Sequence, residues 1–188
     1  MANVYLKTQN QTDAYSSPWS RMESIKVRLW QVTWTLLVSW LPKIFSKWHL
    51  FLLKLFGAKI VGNPFIAPSA RIYAPWLLEV HHKACLGDRC EIYDLGPVYI
   101  GDRAVVAQHA YVCNGTHDLT TPDMPLLVGN LKIDNDVFIG AKAFIMPGVH
   151  IAEYSVVGAG SVVIKDTQPY DIVGGNPAKF IKKREMYS

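Results

Sequence analysis

The chain has 188 residues, which suits one domain with an appendage, and its composition of 50% apolar and 18% charged residues excludes a disordered chain. The formal net charge is +4, but the first 60 residues hold eight Lys and Arg against two acids, so the basic excess is local and a general nucleic-acid binder is excluded. Cys85, Cys90 and Cys113 lack CxxC spacing, which predicts neither a disulfide framework nor a zinc ribbon. A reducing cytoplasm fits this pattern.

The first 59 residues form a predicted helical, aromatic-rich extension. Its polar opening does not resemble a secretory signal, so we expect no export. Residues 22–56 are dense in aliphatic and aromatic side chains, and the pattern predicts two helices that break near Pro42. The longest uncharged apolar run lies between Arg28 and Lys43 and is too short for an ordinary membrane span of about 20 residues.

Two interpretations of these helices stay open. Cationic, aromatic helices can lie on an anionic membrane, which predicts peripheral, salt-sensitive contact through residues 20–56. The same helices can instead cap the open end of the following repeats or pack on a neighbouring subunit. Amphipathic spacing is the same in each case.

Aliphatic residues recur every six positions from Ile66 onward, with two steps of eight. The positions are Ile66, Ile72, Val80, Leu86, Ile92, Ile100, Val106 and Val112, and after a gap Ile133, Ile139, Ile145, Ile151, Val157 and Val163. A small residue follows four places after each, with the single exception of Trp76. Neither the 3.6-residue period of a helix nor the alternation of a flat strand explains a period of six.

Six-residue units of this kind are typical of short parallel strands joined by tight corners, with three units in each coil of a solenoid. We expect this all-β solenoid over residues 60–168, and a tail with a short helix over residues 169–188. The gap predicts a loop over residues 113–132 that contains His117. Insertions at solenoid corners leave the core intact, and such loops often carry function.

The repeats and several motifs resemble the hexapeptide-repeat acyltransferases, in particular the colanic acid biosynthesis acetyltransferase branch near the galactoside and maltose O-acetyltransferases. The motifs are SPWS (17–20), FLLKLFGAKI (51–60), NGTHDL (114–119), DVFIGAKAFIMPGVHI (136–151), VVGAGSVVIKD (156–166) and GNPAKFIKKRE (175–185). The resemblance implies a left-handed parallel β-helix and a homotrimer with sites at subunit boundaries. It also implies acetyl transfer from acetyl-CoA to a saccharide hydroxyl, with exopolysaccharide biosynthesis as the setting.

The same resemblance assigns the catalytic groups. His117 matches the family's loop histidine and would act as general base on the acceptor hydroxyl. The backbone N–H of Ala141 would stabilise the oxyanion of the tetrahedral intermediate. The other five histidines are interpreted as structural or exposed. No cysteine lies beside His117 in the motif, so we expect direct transfer without a covalent acyl-enzyme.

For the coenzyme, the resemblance implies a groove of small residues with cations at its far end. Its predicted residues are Phe138, Gly140, Gly158, Ala159, Gly160, Lys165, Lys179 and Lys182. The galactoside family's acceptor residues align with Gly87 and Leu95, which do not support that substrate. Asn114 and Asp94 remain as candidate contacts to the saccharide.

Two other functions compete with acetyl transfer. A gamma carbonic anhydrase-like metal enzyme would use His81 and His117, but Pro122 stands where its third ligand would be, so we expect no metal. A non-catalytic β-helix binding or scaffold protein would leave the loop histidine and the lysines unexplained.

Overall fold

The structure is a computed structural model that describes residues 4–6 and 19–186. Most of the polar opening segment, including Ser17 and Pro18 of the SPWS motif, lies outside the described residues, as do the last two residues of the tail.

A three-sided parallel solenoid forms the body of the protein. Its first face contains β2 (Lys59–Ile60), β5 (Leu78–Val80), β8 (Val98–Ile100), β13 (Leu131–Ile133) and β16 (His150–Ile151). The second face contains β3 (Phe65–Ile66), β6 (Cys85–Leu86), β9 (Val105–Val106), β14 (Phe138–Ile139), β17 (Val156–Val157) and β19 (Asp171–Gly174). The third face contains β4 (Arg71–Ile72), β7 (Glu91–Tyr93), β10 (Tyr111–Cys113), β15 (Phe144–Ile145) and β18 (Val162–Val163).

Each coil runs through the three faces in order, which gives five complete coils and the start of a sixth. We call the turn after the second face the second corner and the turn after the third face the third corner. Every aliphatic position of the predicted ladder is buried, with no more than 4% exposure. The predicted period-six β-helix is therefore confirmed, and stacked aliphatic residues form its core.

The irregular steps of the repeat fall at one place in the fold. Both steps of eight, from Ile72 to Val80 and from Ile92 to Ile100, cross the third corner, where a short 3-10 helix (Pro75–Leu77) contains Trp76. The long gap crosses the same corner, between β10 and β13. Extra residues thus accumulate at the third corner without disturbing the ladder.

The predicted loop at this corner is a β-hairpin. Its strands, β11 (Gly115–His117) and β12 (Leu126–Gly129), pair antiparallel. β1 (Val4–Leu6), from the opening segment, adds to the free side of β12, so this sheet has three strands in the order β1, β12, β11.

The two predicted helices cap the first coil. α1 (Arg21–Leu37) begins at a capping box in which Ser20 and Glu23 exchange hydrogen bonds, and α2 (Ser46–Leu55) follows a 3-10 turn (Lys43–Phe45) after Pro42. Trp30 and Trp34 donate their indole N–H groups to carbonyl oxygens of Ile72 and Ala70. These tryptophans satisfy carbonyl groups in and just before the edge strand β4, and they bury their rings over the open core.

The prediction of a C-terminal helix is wrong. Residues 179–183 form β20 (Lys179–Lys183), which turns back after Gly174 and pairs antiparallel with β19. The last coil presents an open strand edge, and pairing with it satisfies backbone groups that a free helix would leave uncovered. Arg184 then donates to the carbonyl oxygens of Asp136 and Tyr154, which ties the tail to the body.

Within the part of the chain that the structure describes, neither helix has the length and hydropathy needed to cross a bilayer.

Candidate functional site

The hairpin at the third corner holds His117 in a defined orientation. Nδ1 of His117 lies 2.7 Å from the carbonyl oxygen of Met124. A carbonyl oxygen only accepts, so Nδ1 carries the proton of the neutral ring and Nε2 is left as the acceptor. The side chain is exposed at the end of β11, opposite Leu126 of β12. An exposed, oriented acceptor nitrogen is the geometry that a general base requires.

The far end of the hairpin is ordered by hydrogen bonds of its own. Asp118 accepts from the backbone N–H and the hydroxyl of Thr120, and its own N–H donates to the carbonyl oxygen of Pro125. The N–H of Met124 donates to Thr121, which closes the turn that presents the carbonyl to His117.

Asn114 anchors the root of this hairpin to the coil below. Its Oδ1 accepts from the N–H groups of Leu95 and Gly96, and its Nδ2 donates to the carbonyl oxygen of Gly96. The residue is fully buried and these bonds occupy both ends of its amide. The geometry therefore gives Asn114 a structural task and argues against the predicted contact with a saccharide.

Asp94 has a similar position one coil earlier. Its Oδ1 accepts from the N–H groups of Tyr73 and Ala74, and the side chain is completely buried. Burial raises the pKa of this carboxyl well above its ordinary value, although the two N–H donors oppose the shift. Its other oxygen has no hydrogen-bond partner in the described structure. Asp94 thus supports the corner from inside, and its burial argues against direct contact with an acceptor.

The predicted oxyanion donor lies at the second corner of the fourth coil. The N–H of Ala141 has no acceptor among the described residues, whereas its carbonyl accepts from Gly160 one coil further on. A Cβ on Gly140 would lie 2.6 Å from the nitrogen of Ala159, so only glycine permits this spacing of coils. Close packing of adjacent coils therefore fixes the corner and leaves the N–H of Ala141 available.

The small residues assigned to the coenzyme continue along this corner. Gly158, Ala159 and Gly160 form the second corner of the fifth coil, directly above Gly140 and Ala141. Gly160 has φ +68°, and a Cβ there would meet nothing within 4 Å. The corner therefore offers an open backbone ridge.

Phe138 stands beside this ridge on β14. It is 42% exposed on the outer second face, between Val105 and Val156 of the neighbouring strands. Its side chain is not part of the buried core, and the ring is free to line a groove.

The three lysines assigned to the far end of the coenzyme groove have no partner among the described residues. Within the described residues, Lys165, Lys179 and Lys182 make no ion pair or side-chain hydrogen bond. Lys179 pairs with Gly174 in the strand register, near Gly158, and Lys182 lies further along β20. Lys165 lies apart from them, beyond β18 at the third corner. By contrast, Lys183 contacts Asp171 at 2.7 Å and has a structural partner.

The structure brings the coenzyme residues other than Lys165 together but separates the two catalytic groups. Ala141 and the glycine ridge share the second corner, whereas His117 extends from the third corner, at the opposite edge of the third face. One chain thus supplies a base at one edge and an oxyanion donor at another.

The remaining histidines have other environments. Nε2 of His81 lies 2.6 Å from Glu79, and Nε2 of His150 lies 2.6 Å from Asp134, both on the first face. His49 is buried in α2, where its pKa is lowered by burial. Among residues 4–6 and 19–186, no three His, Cys, Asp or Glu side chains form a group that could hold a metal ion.

Sequence reasoning missed the carbonyl of Met124 and the anchoring task of Asn114. The first carries no side-chain signal, since any residue can supply a carbonyl. The second depends on Leu95 and Gly96, which lie 19 and 18 positions away.

The known proteins that this chain resembles are hexapeptide-repeat transferases and acetyltransferases. Residues 130–165 match the family described as bacterial transferase hexapeptide (six repeats). The chain is 37% identical over 161 residues to a putative colanic acid biosynthesis acetyltransferase of Escherichia coli, with 86% of this chain and 88% of the relative covered. A maltose O-acetyltransferase from Clostridium difficile is 25% identical with a TM-score of 0.72, covering 89% of this chain and 90% of that one. A galactoside acetyltransferase in complex with coenzyme A has the same fold, with a TM-score of 0.79 at 22% identity, covering 89% and 84%.

Proposed function

Because the chain belongs to the hexapeptide-repeat acetyltransferase family, we propose that it transfers the acetyl group of acetyl-CoA to a saccharide hydroxyl in exopolysaccharide biosynthesis. The observation that carries this proposal is the bond between Nδ1 of His117 and the carbonyl of Met124. It leaves Nε2 as a proton acceptor on an exposed hairpin.

His117 would act first. As the acceptor oxygen forms its bond to the thioester carbon, Nε2 takes the hydroxyl proton, and the carbonyl of Met124 stabilises the imidazolium that results. The oxyanion that develops would accept a hydrogen bond from the backbone N–H of Ala141, which has no other acceptor among the described residues. When the carbon–sulfur bond breaks, the proton on His117 passes to the departing thiolate of CoA, which restores the neutral ring.

The cysteines support direct transfer without a covalent intermediate. Burial raises the pKa of Cys85 and Cys113 and raises the pKa of Cys90 to about 12. A thiol nucleophile needs the opposite shift, because the thiolate is the reactive form.

A homotrimer would complete the site. Its supporting observation is the separation of His117 from Ala141 at opposite edges of one chain's third face. The hairpin of one subunit would reach the second corner of the next, so that three shared sites form. The outer second face supports such contact, since Phe65, Cys85, Val105, Phe138 and Val156 all point outward there.

We also place the enzyme in the cytoplasm, in peripheral contact with the inner membrane face through residues 20–56. This segment contains six cations and a single acid, Glu23, which favours an anionic surface.

The decisive test of the activity replaces His117. We expect His117→Ala to lower kcat for acetyl transfer by about 10²- to 10⁴-fold with little change in acetyl-CoA affinity, because only proton transfer is lost. CoA release during a screen of glycans and nucleotide sugars would measure turnover. His82→Ala, which alters an imidazole bonded to the N–H of Asn63, is the matched control. Undiminished turnover in the His117 variant would refute the assignment.

A further inference from the structure

An apolar stripe runs along the outer side of α1, and no described residue covers it. It follows alternating three- and four-residue steps and consists of Met22, Ile25, Leu29, Val32 and Leu36. The three central side chains keep 61%, 58% and 55% of their surfaces exposed. At about 100° per residue, the stripe lies opposite the side of α1 that packs on the first coil. A helix that is apolar on two opposite sides is typical of one covered on both.

More exposed apolar side chains follow the stripe along the chain. They lie just after α1, in the turn and in α2, namely Trp40, Ile44, Phe45, Phe51 and Leu55. Ile44, at the tip of the turn, is 84% exposed. An exposed apolar area of this extent marks a contact surface rather than ordinary surface composition.

Cations flank the stripe. Their charge decides between two occupants, a second copy of this chain and an anionic lipid surface. Lys26 and Arg28 lie about 80° to either side of the centre of the stripe, at 100° per residue. Lys47 and Lys54 add charge from α2, whereas Lys43 pairs with Asp88 at 3.4 Å and Nζ of Lys26 lies 4.0 Å from the centre of the Trp76 ring. Glu23 is the only acid of residues 20–58. Two copies of the stripe face to face would bring like charges together. Anionic lipid headgroups would instead place phosphates beside Arg28, Lys47 and Lys54, which have no ion-pair partner among the described residues.

We propose that the apolar stripe is a lipid-docking surface that inserts into the headgroup region of an anionic bilayer, with α1 lying in the membrane plane. Long basic side chains at the rim of such a helix extend toward phosphates while their methylenes stay in the apolar layer. Since insertion of apolar side chains supplies much of the affinity, binding should persist at high salt. This differs from the salt-sensitive contact that the sequence predicts.

The position of the stripe also indicates the class of acceptor, an inference that rests on the proposed function. The helices cap the first coil, so a trimer with parallel solenoids would present three stripes at one end. Docking through that end would set the threefold axis perpendicular to the membrane surface. The catalytic hairpins would then lie at a constant height above that surface. A saccharide attached to a membrane lipid is the acceptor that this arrangement would serve.

Flotation of the full chain with vesicles tests the docking surface. Vesicles of phosphatidylglycerol with phosphatidylethanolamine would be compared with vesicles of phosphatidylcholine, at low and high salt. We expect the triple variant Ile25→Gln, Leu29→Gln, Val32→Gln to lose about tenfold or more of the bound fraction at both salt concentrations. Lys47→Gln with Lys54→Gln should weaken binding to anionic vesicles at low salt only. Val61→Gln removes an exposed apolar side chain elsewhere and should bind normally.

Sedimentation and turnover on a soluble acceptor complete the test. The triple variant should keep the wild-type mass and rate of CoA release. Failure of the wild type to float with anionic vesicles would overturn the proposal. A changed mass in the triple variant would also overturn it, because the stripe would then be a contact between copies of this chain. Vesicle binding without any acetyl transfer would refute the proposed activity and leave the docking surface intact.

Discussion

The indole nitrogen of Trp30 lies 2.7 Å from the carbonyl oxygen of Ile72, which joins the helical cap to the edge of the first coil. The carbonyl belongs to β4, the edge strand of the third face in the first coil, so no further strand can supply its donor. Trp30 is 1% exposed, and the bond is therefore shielded from water. Capping of the solenoid thus depends on a polar contact as well as on apolar burial.

Trp30→Phe should destabilise the protein by about 1–3 kcal/mol, because it leaves a buried carbonyl without a donor. The midpoint of thermal unfolding, measured at one fixed protein concentration, should fall by several degrees. Trp40→Phe is the matched control, since its indole bonds Leu36 of its own helix and the side chain is 71% exposed. An equal loss of stability in both variants would contradict this account of the cap.

Asp94 should make stability depend on pH. The unfolded carboxyl ionises near pH 4, whereas burial keeps the folded carboxyl protonated to higher pH. At this carboxyl, folding therefore takes up a proton in this window, and the contribution of Asp94 to stability should fall as pH rises from about 4 through the raised folded pKa.

Asp94→Asn preserves an oxygen for the N–H groups of Tyr73 and Ala74 but cannot ionise. The difference in free energy of unfolding between this variant and the wild type should grow with pH across the same window. Denaturant unfolding at a series of pH values measures it, and the other carboxylates cancel because both proteins share them. Parallel stability curves would show that Asp94 ionises normally in the fold.

The sequence predicts the solenoid well because one aliphatic residue per strand determines which side faces the core. Pairing between distant segments has no such local signal. β20 forms because an open strand edge lies beside it, and the side chain of Asn114 finds its partners in the preceding coil. The two helices are recognisable from Pro42 and their apolar content. Which apolar residues pack on the first coil, and which remain outside, depends on how α1 docks through Trp30 and Trp34.

Two glycines of the second corner should respond differently to substitution. A Cβ on Gly140 would approach both Ala159 and Val157 within 2.7 Å. Gly140→Ala should therefore force the coils apart and cost about 1–3 kcal/mol of stability.

Gly160→Asn meets open space and a left-handed backbone that asparagine tolerates, so it should leave stability nearly unchanged. If the pantetheine arm of acetyl-CoA lies along this ridge, the variant should raise KM for acetyl-CoA instead. Unfolding curves and initial-rate kinetics of both variants measure the contrast. An unaltered KM in the Gly160 variant would place the arm elsewhere.

The lysines of β20 should divide into two functional classes. Lys179 and Lys182 have no partner among the described residues, whereas Lys183 contacts Asp171, whose side chain is only 12% exposed. Lys179→Gln and Lys182→Gln should each raise KM for acetyl-CoA roughly fivefold, the effect of losing about 1 kcal/mol of exposed charge interaction. Lys183→Gln should lower the unfolding midpoint and leave KM unchanged, because its charge stabilises the fold.

Acetyl-3′-dephospho-CoA, which lacks the 3′-phosphate, distinguishes a lysine that contacts this phosphate from one that acts only through its positive charge. If Lys179 or Lys182 binds the 3′-phosphate, the wild type should show a raised KM for this analogue, and the corresponding variant should show no further increase. Replacing a lysine that binds the diphosphate would instead raise KM for both thioesters by the same factor. Should Lys183→Gln raise KM as much as the other two, the cations of β20 would act only through their summed field, and the assignment of Lys179 and Lys182 as contacts would fail.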